Sequence, residues 1–282
     1  MSKIKLGIVA ISILCVSNSV SFAQHNNPIL HVNTKWAECS MQLDPSLTQD
    51  AWRQFTQEAG IMTVLNPLTS AKPLGKWNFD IGLSMNQYPV DDTDSAWNDT
   101  FVHPHSTHWL YADTSDDPGV VTDKHADSRH VLSLPLLLGR IGVTDKIDVG
   151  IFFFSAKPDA NYAFRGGQVQ YNFLNDSEKN LSAAARVSIG QIVGVDDFKL
   201  STYSADVMAS KDISIFSGYA GFTAYMVRSH ETTSAVNLDD ENVFGVQGNI
   251  GVTTLLFSHL KLGVQLTVGV LTFPGIVIGF SM

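Results

Sequence analysis

From Lys76 onward the chain changes face at almost every residue, and this habit limits what it can fold into more than any other feature. Trp77, Phe79, Ile81, Leu83 and Met85 alternate with Asn78, Asp80, Gly82, Ser84 and Asn86. Near the C-terminus Leu260, Leu262, Val264, Leu266, Val268 and Val270 alternate with Lys261, Gly263, Gln265, Thr267 and Gly269. Val187 and Ile189 alternate with Arg186, Ser188 and Gly190, and Phe244, Val246, Ile250 and Val252 with Gln247 and Asn249. A period of two puts successive side chains on opposite faces of a strand. Ten segments carry it, near 76–86, 130–142, 146–155, 161–174, 180–192, 199–210, 212–227, 242–255, 259–271 and 274–281.

The links between these segments alternate in length. Long or polar ones follow the first (87–129), third (155–161), fifth (193–198) and seventh (228–241). Short ones follow the second (143–145), fourth (175–179), sixth (Lys211) and eighth (Ser258). The ninth, 272–274, is short where the rhythm calls for a longer one. Short turns on one side and longer loops on the other, with an even strand number, are what a transmembrane barrel requires. Both chain ends are then expected on the short-turn, periplasmic side.

A soluble sandwich also alternates, so the faces themselves must decide. In the late segments one face is large and aliphatic while the other is Gly, Ser, Thr, Asn and Gln, the inverse of a soluble barrel with an apolar interior. Backbone in lipid must be hydrogen-bonded internally, so a strand protein there must close on itself. Tyr162 and Phe164 at one end of the fourth segment, and Tyr171 and Phe173 at the other, suit interfacial girdles. Their opposite parity predicts a bulge at Gly166 and Gly167. The expected fold is all-β: an antiparallel up-and-down transmembrane barrel of about ten to twelve strands, with one N-terminal helix. Pro135 interrupts the second segment, where it removes a ladder donor.

Residues 139–150 (GRIGVTDKIDVG) resemble the tight periplasmic hairpin of small bacterial outer-membrane porin-like proteins. That group includes channels associated with phenol-degradation operons and, more distantly, barrels of the fatty-acid-transporter type. The likeness covers this hairpin, and 76–282 only in style; it implies fold more than function. Such barrels usually end in an aromatic residue, whereas here Phe280 is followed by Ser281 and Met282. Ile276, Ile278 and Phe280 keep the alternation, so the terminal signal reads as shifted.

The first 23 residues have the form of a removable export signal: Lys3 and Lys5, an apolar run over 6–16, then Ser21-Phe22-Ala23 before the expected cut at Gln24. Leu14 before Cys15 excludes a lipoprotein signal. Cys39 is then the mature chain's only cysteine, so no intrachain disulfide forms. Net charge is −9, and −11 without Lys3 and Lys5, which argues against nucleic acid as a partner. After the signal no apolar run approaches the ~20 residues a membrane helix needs.

Residues 24–75 differ from the rest. Leu47, Ala51, Trp52, Phe55, Ala59 and Met62 recur at helical spacing, with Ser46 as expected N-cap, Gln49 as its capping-box partner and Asn66-Pro67 as the stop. The segment is too short for a core of its own. It is read as a plug in or beneath the lumen, with Trp52 and Phe55 lining a route, against the alternative of a helix on the barrel's lower rim. A helix inside would call for two more strands within 104–122, around Trp109, Leu110 and Tyr111.

Lumen parity falls on Asp80, Arg186, Asp206, Asn249 and Gln265. Counting outward from Asp196 pairs Ile189 with Tyr203, Ser188 with Ser204 and Arg186 with Asp206, close enough for an ion pair. Counting from Phe257 pairs Ile250 with Val264, Val252 with Leu262 and Asn249 with Gln265; counting from Phe273 pairs Val268 with Ile278 and Leu266 with Phe280. His103, His105 and His108 lie among carboxylates in the first link, but their spacing matches no metal-site template. No phosphate loop, nucleophile elbow or zinc-protease motif occurs in the mature chain. Neither cofactor nor catalysis is expected. Expected partners are outer-membrane lipids, the barrel assembly machinery and a small-molecule solute. The functional expectation is an outer-membrane channel or transporter-like barrel for small solutes, apolar ones included. Its rivals are a closed surface barrel serving adhesion or structure through its first link, and an enzyme built at the rim.

Overall fold

The structure, a computed structural model, describes residues 43–66, 68–91, 94–98, 100, 129–155 and 163–282. The signal segment, His103, His105, His108 and the stretch 104–122 lie outside the described residues. Ten strands follow in order: β1 (Phe79–Asp91), β2 (Arg129–Gly142), β3 (Ile147–Ser155), β4 (Ala163–Asp176), β5 (Leu181–Val193), β6 (Phe198–Ile213), β7 (Phe216–Glu231), β8 (Glu241–Leu256), β9 (Leu260–Val268) and β10 (Phe273–Ser281). Each pairs antiparallel with its sequence neighbour, and β1 pairs with β10 to close the sheet. β1 is hydrogen-bonded directly to both β2 and β10, so the ten strands close the barrel with no further strand.

The links sort the barrel into two ends. Turns between β2 and β3, β4 and β5, β6 and β7, and β8 and β9 lie at one; the C-terminal ends of β1 and β3, with the β5–β6, β7–β8 and β9–β10 links, lie at the opposite end. β1 begins and β10 finishes at the short-turn end, where Phe79 N–H donates to Met282 O at 3.0 Å and Met282 N–H returns to Phe79 O at 2.9 Å. Pro135 pairs only with β1, beyond the last β2–β3 pair, Leu137 with Phe153, and Pro89 likewise lies past the stretch of β1 paired with β10. Each proline therefore sits where a strand has lost one neighbour and the missing donor costs least.

Register follows side-chain parity throughout but not always the simplest count. β5 and β6 pair Ile189 with Tyr203, Ser188 with Ser204 and Arg186 with Asp206, as counting from Asp196 predicts. β8 and β9 instead pair Ile250 with Leu266, Val252 with Val264 and Asn249 with Thr267, two residues from the expected register. The cause is the turn: Phe257 and Ser258 both take positive φ, 50° and 67°, moving its centre to Ser258. β9 ends at Val268, and β10 pairs Ile278 with Leu262 and Phe280 with Leu260, six residues from the count about Phe273. Both corrections are even numbers, so every side chain keeps its face.

Three local expectations are also corrected. β4 runs unbroken past Gly166 and Gly167; its irregularity comes at Phe173, between Asn172 and Leu174. Phe164 therefore points inward, fully buried with its ring 5.9 Å from Phe154, whereas Tyr171 and Phe173 face outward. Trp77 belongs to no strand: it takes φ 67° in a turn after Gly75 and is 68% exposed.

The helix is α1 (Gln49–Thr63), and a single turn, α2 (Ser95–Asn98), follows β1. Thr48 is the N-cap, accepting from Ala51 N–H at 3.3 Å, while Ser46 is taken by a turn with Asp44. Gln49 is no capping-box partner but reaches across to Glu241 and Asp239.

Candidate functional site: the lumen and its occupant

Outside the barrel, Ile81, Leu83, Leu137, Ile151, Phe153, Val169, Val187, Ile189, Val207, Phe222, Phe244, Val246, Ile250, Val252, Val264, Leu266, Ile276 and Ile278 are all exposed. They come from every strand and form a continuous belt. A water-soluble monomer rarely exposes an apolar patch larger than a few hundred Å², and a closed sheet leaves no unpaired edge in hydrocarbon. The chain has the fold of a transmembrane β-barrel.

No family model and no curated protein matches the sequence. Among solved structures, Ail, the attachment invasion locus protein of Yersinia pestis, aligns at 12% identity and TM-score 0.29 over 73% of this chain and 99% of its own. OprG of Pseudomonas aeruginosa aligns at 15% identity and TM-score 0.29 over 76% and 98%, and Neisserial surface protein A at 10% and 0.25 over 72% and 94%. Nothing about function rests on overlaps this loose.

The lumen is not empty. α1 lies inside it against β5, β6, β7 and β8. A helix with side chains is about 10–12 Å across, whereas an eight-stranded barrel is just filled by its own side chains, so ten strands are needed to admit it. Small residues make the remaining room. A Cβ on Gly60 would come within 2.3 Å of the Val227 side chain, and one on Gly190 within 2.2 Å of Thr63 O.

The half of the lumen nearer the long links is apolar. Trp52 and Phe55 are fully buried there, their rings 5.7 Å apart and stacked. Phe198 meets Trp52 edge-on at 5.6 Å, and Trp97 of α2 meets Phe55 at 5.5 Å. Tyr88, Leu134, Leu136, Phe152, Phe164, Leu200 and Val227 complete the cluster. Burying side chains such as these contributes about 1.5–3 kcal/mol each. At the rim, Glu241 receives Gln49 Nε2 at 2.6 Å and Arg53 Nε at 3.0 Å.

After α1 the chain becomes an irregular strap, described over 64–66 and 68–75, with no ladder of its own. Its backbone groups still need partners, and inward polar side chains supply them. Arg186 donates to Leu65 O at 2.7 Å, Gln265 accepts from Leu68 N–H at 2.9 Å, and Ser210 from Ala71 N–H at 3.1 Å. Asn172 donates to Ala71 O at 2.7 Å, and Asp148 accepts from Leu74 N–H at 3.3 Å. Gln247 holds the Asn66 side chain at 2.7 Å, and Lys72 pairs with Asp212 at 2.9 Å. Gly142 admits the strap's end: a Cβ there would stand 2.0 Å from Gly75 O.

The five lumen residues expected from parity all lie inside. Arg186 and Asp206, each 2% exposed, are paired at 2.8 Å, with Gln168 accepting from Arg186 at 3.2 Å and Thr223 donating to Asp206. Asn249 and Gln265 belong to one network: Gln265 Nε2 donates to Asn249 Oδ1 at 3.2 Å and Thr267 Oγ1 to the same atom at 2.9 Å, while Tyr219 OH donates to Gln265 at 2.9 Å. Asp80 joins a second charged group near the short turns, with Lys261 at 2.5 Å and Arg140 at 3.5 Å. Asp148 stands 3.7 Å from Arg140 and balances the set.

Lys261 was placed on the polar face but not named as a lumen charge, and Arg140, Asp148 and Glu241 were missed from the sequence, as were the admitting glycines. The three strand charges near the short turns share the parity that marked Asp80, which could have found them; only the strap explains the glycines. Among the described residues no group of three or more His, Cys, Asp or Glu is placed to hold a metal ion.

Proposed function

We propose that the protein is an outer-membrane barrel of a Gram-negative bacterium, sealed at rest by its own residues 43–75, and that it passes small solutes, apolar ones included, when that segment shifts. The observation that carries this reading is the two-part lumen. In the outer half the occupant is apolar, and the wall around Trp52 and Phe55 would accept a greasy solute in their place. In the inner half the strap is held by single polar contacts, which water can replace at little net cost. Asp80 Oδ1, Ser84 Oγ, Arg140 Nε and Gln170 Nε2 have no hydrogen-bond partner among the described residues there, a mixture of donors and acceptors that suits water.

A second reading has its own support. Six strands grip the strap, and β8 and the β5–β6 link hold Gln49 and Leu43 at the start of the occupant, so the barrel could be closed permanently and act through its surface. Catalysis forms no part of either reading. Refolded protein in planar bilayers separates them. The gated reading expects a quiet wild type with brief openings that small apolar solutes make more frequent, and steady conductance when 43–75 is deleted. A wild type silent under every solute and voltage, beside a conducting deletion variant, would establish the permanently closed barrel. Outer-membrane fractionation with an unboiled gel tests the location, for which heat-dependent mobility is expected.

A further inference from the structure

We infer that the occupant, 43–75, runs through the barrel from outside to inside, so that its start at Leu43 stands at the cell-surface mouth and not at the periplasmic one. Two sets of contacts fix the direction. Leu43 N–H donates to Asp197 Oδ2 at 3.0 Å in the β5–β6 link, and Asp44 N–H to Thr100 O at 3.0 Å beyond α2. Gln49 exchanges bonds with Asp239 in the β7–β8 link, accepting from its N–H at 2.9 Å. All three are at the long-link end. Thirty residues later Leu74 is on Asp148, Gly75 lies against Gly142, and Trp77 N–H donates to Gly142 O at 2.8 Å, all at the short-turn end.

Short turns are periplasmic in outer-membrane barrels, so the occupant finishes in the periplasm and starts outside. This reverses the expectation that both chain ends share the periplasmic side: β1 and β10 do end there, but the chain that feeds β1 has come down through the lumen. The consequence is chemical as well as topological. A partner at the surface, or a force applied there, would act directly on the first turn of α1 through Leu43, Gln49 and Arg53, whereas a periplasmic partner would reach only the Gly75–Asn78 turn.

The chain supplies its own probe. Cys39 is four residues before Leu43, a reach of about 14 Å at full extension, and after signal removal no other thiol remains. Intact cells making the full-length protein are treated with a polyethylene-glycol maleimide too large to cross the outer membrane. In parallel, a Cys39→Ser, Ser258→Cys double variant moves the thiol to the exposed β8–β9 turn. The expected result is labelling of Cys39 in intact cells, and labelling of the double variant only after the cells are permeabilised. Labelling in the reverse pattern overturns the inference. Should Cys39 resist the reagent in both conditions, an epitope inserted after Gln24 decides. Antibody bound to intact cells supports the inference; antibody bound only after permeabilisation overturns it. The inference rests on the outer-membrane reading, and heat-dependent mobility of the same samples keeps the two apart. If mobility is lost, both fail; if it is retained with an inward N-terminus, this inference fails alone.

Discussion

Replacing Arg186 by alanine tests the electrostatics of the lumen and the seating of the strap together. The side chain is 2% exposed and serves three acceptors: Asp206 through Nε at 2.8 Å, Gln168 through Nη1 at 3.2 Å and Leu65 O through Nη2 at 2.7 Å. The change strands the Asp206 carboxylate, also 2% exposed, with Thr223 left as its donor among the described residues. Removing one partner of a buried ion pair costs about 3–5 kcal/mol, most of it from the charge left behind. Leu65 O and Gln168 lose Arg186 in the single and the double variant alike, so the Arg186→Ala, Asp206→Ala pair differs from it only in replacing the stranded charge by a neutral Thr223 hydroxyl, which keeps Asn249 but loses its acceptor, at about 1–3 kcal/mol. The single variant is therefore expected to be the less stable by about 2 kcal/mol. Urea titration of protein refolded into lipid vesicles, read by heat-dependent gel mobility, measures the difference. A double variant as unstable as the single one would show that water already screens the pair, and the reasoning would be wrong. Arg186→Lys is an internal control, since a lysine cannot serve three acceptors in different directions with a planar fork.

Four further outcomes follow from the faces and from the fit of the occupant. Val264→Arg should impair insertion, at about 2–4 kcal/mol if the residue lies near the bilayer midplane, because Val264 is 58% exposed between Val252 and Ile276. Gln265→Ala, one residue on, should insert normally in the same vesicle assay but loosen the strap at Leu68, seen as faster protease cleavage near Pro67; equal insertion defects at both positions would mean the faces are misassigned. Gly142→Ala should displace the strap, since its Cβ would meet the Gly75 carbonyl, and overpacking of this kind costs about 1–3 kcal/mol; raised single-channel conductance is the readout. Trp52→Ala should cost about 3–5 kcal/mol in urea stability, since the ring is fully buried.

The alternation by itself determined which face of the strands turns inward, except in β4, where Phe164 was assigned to the wrong face; a period of two leaves no other freedom once one face must meet lipid. It placed Asp80, Arg186, Asp206, Asn249 and Gln265 inside, and where the β5–β6 link was correctly centred it paired Arg186 with Asp206. It could not fix register at the β8–β9 turn. Phe257 and Ser258 adopt positive φ there without the glycine or asparagine that would announce it, so the count slipped by two while parity survived. Helical spacing identified the apolar face of α1 but not the surface that would cover it. That choice belongs to the closed sheet: ten strands leave a space of helical width, Gly142 and Gly190 open it where the occupant's backbone comes closest, and Gly60 lets α1 approach Val227. The direction of the occupant, 43–75, is likewise a tertiary fact. Its partners, from Asp197 and Glu241 at one end to Asp148 at the other, are far from it in sequence and come into line only once the strands have closed around it.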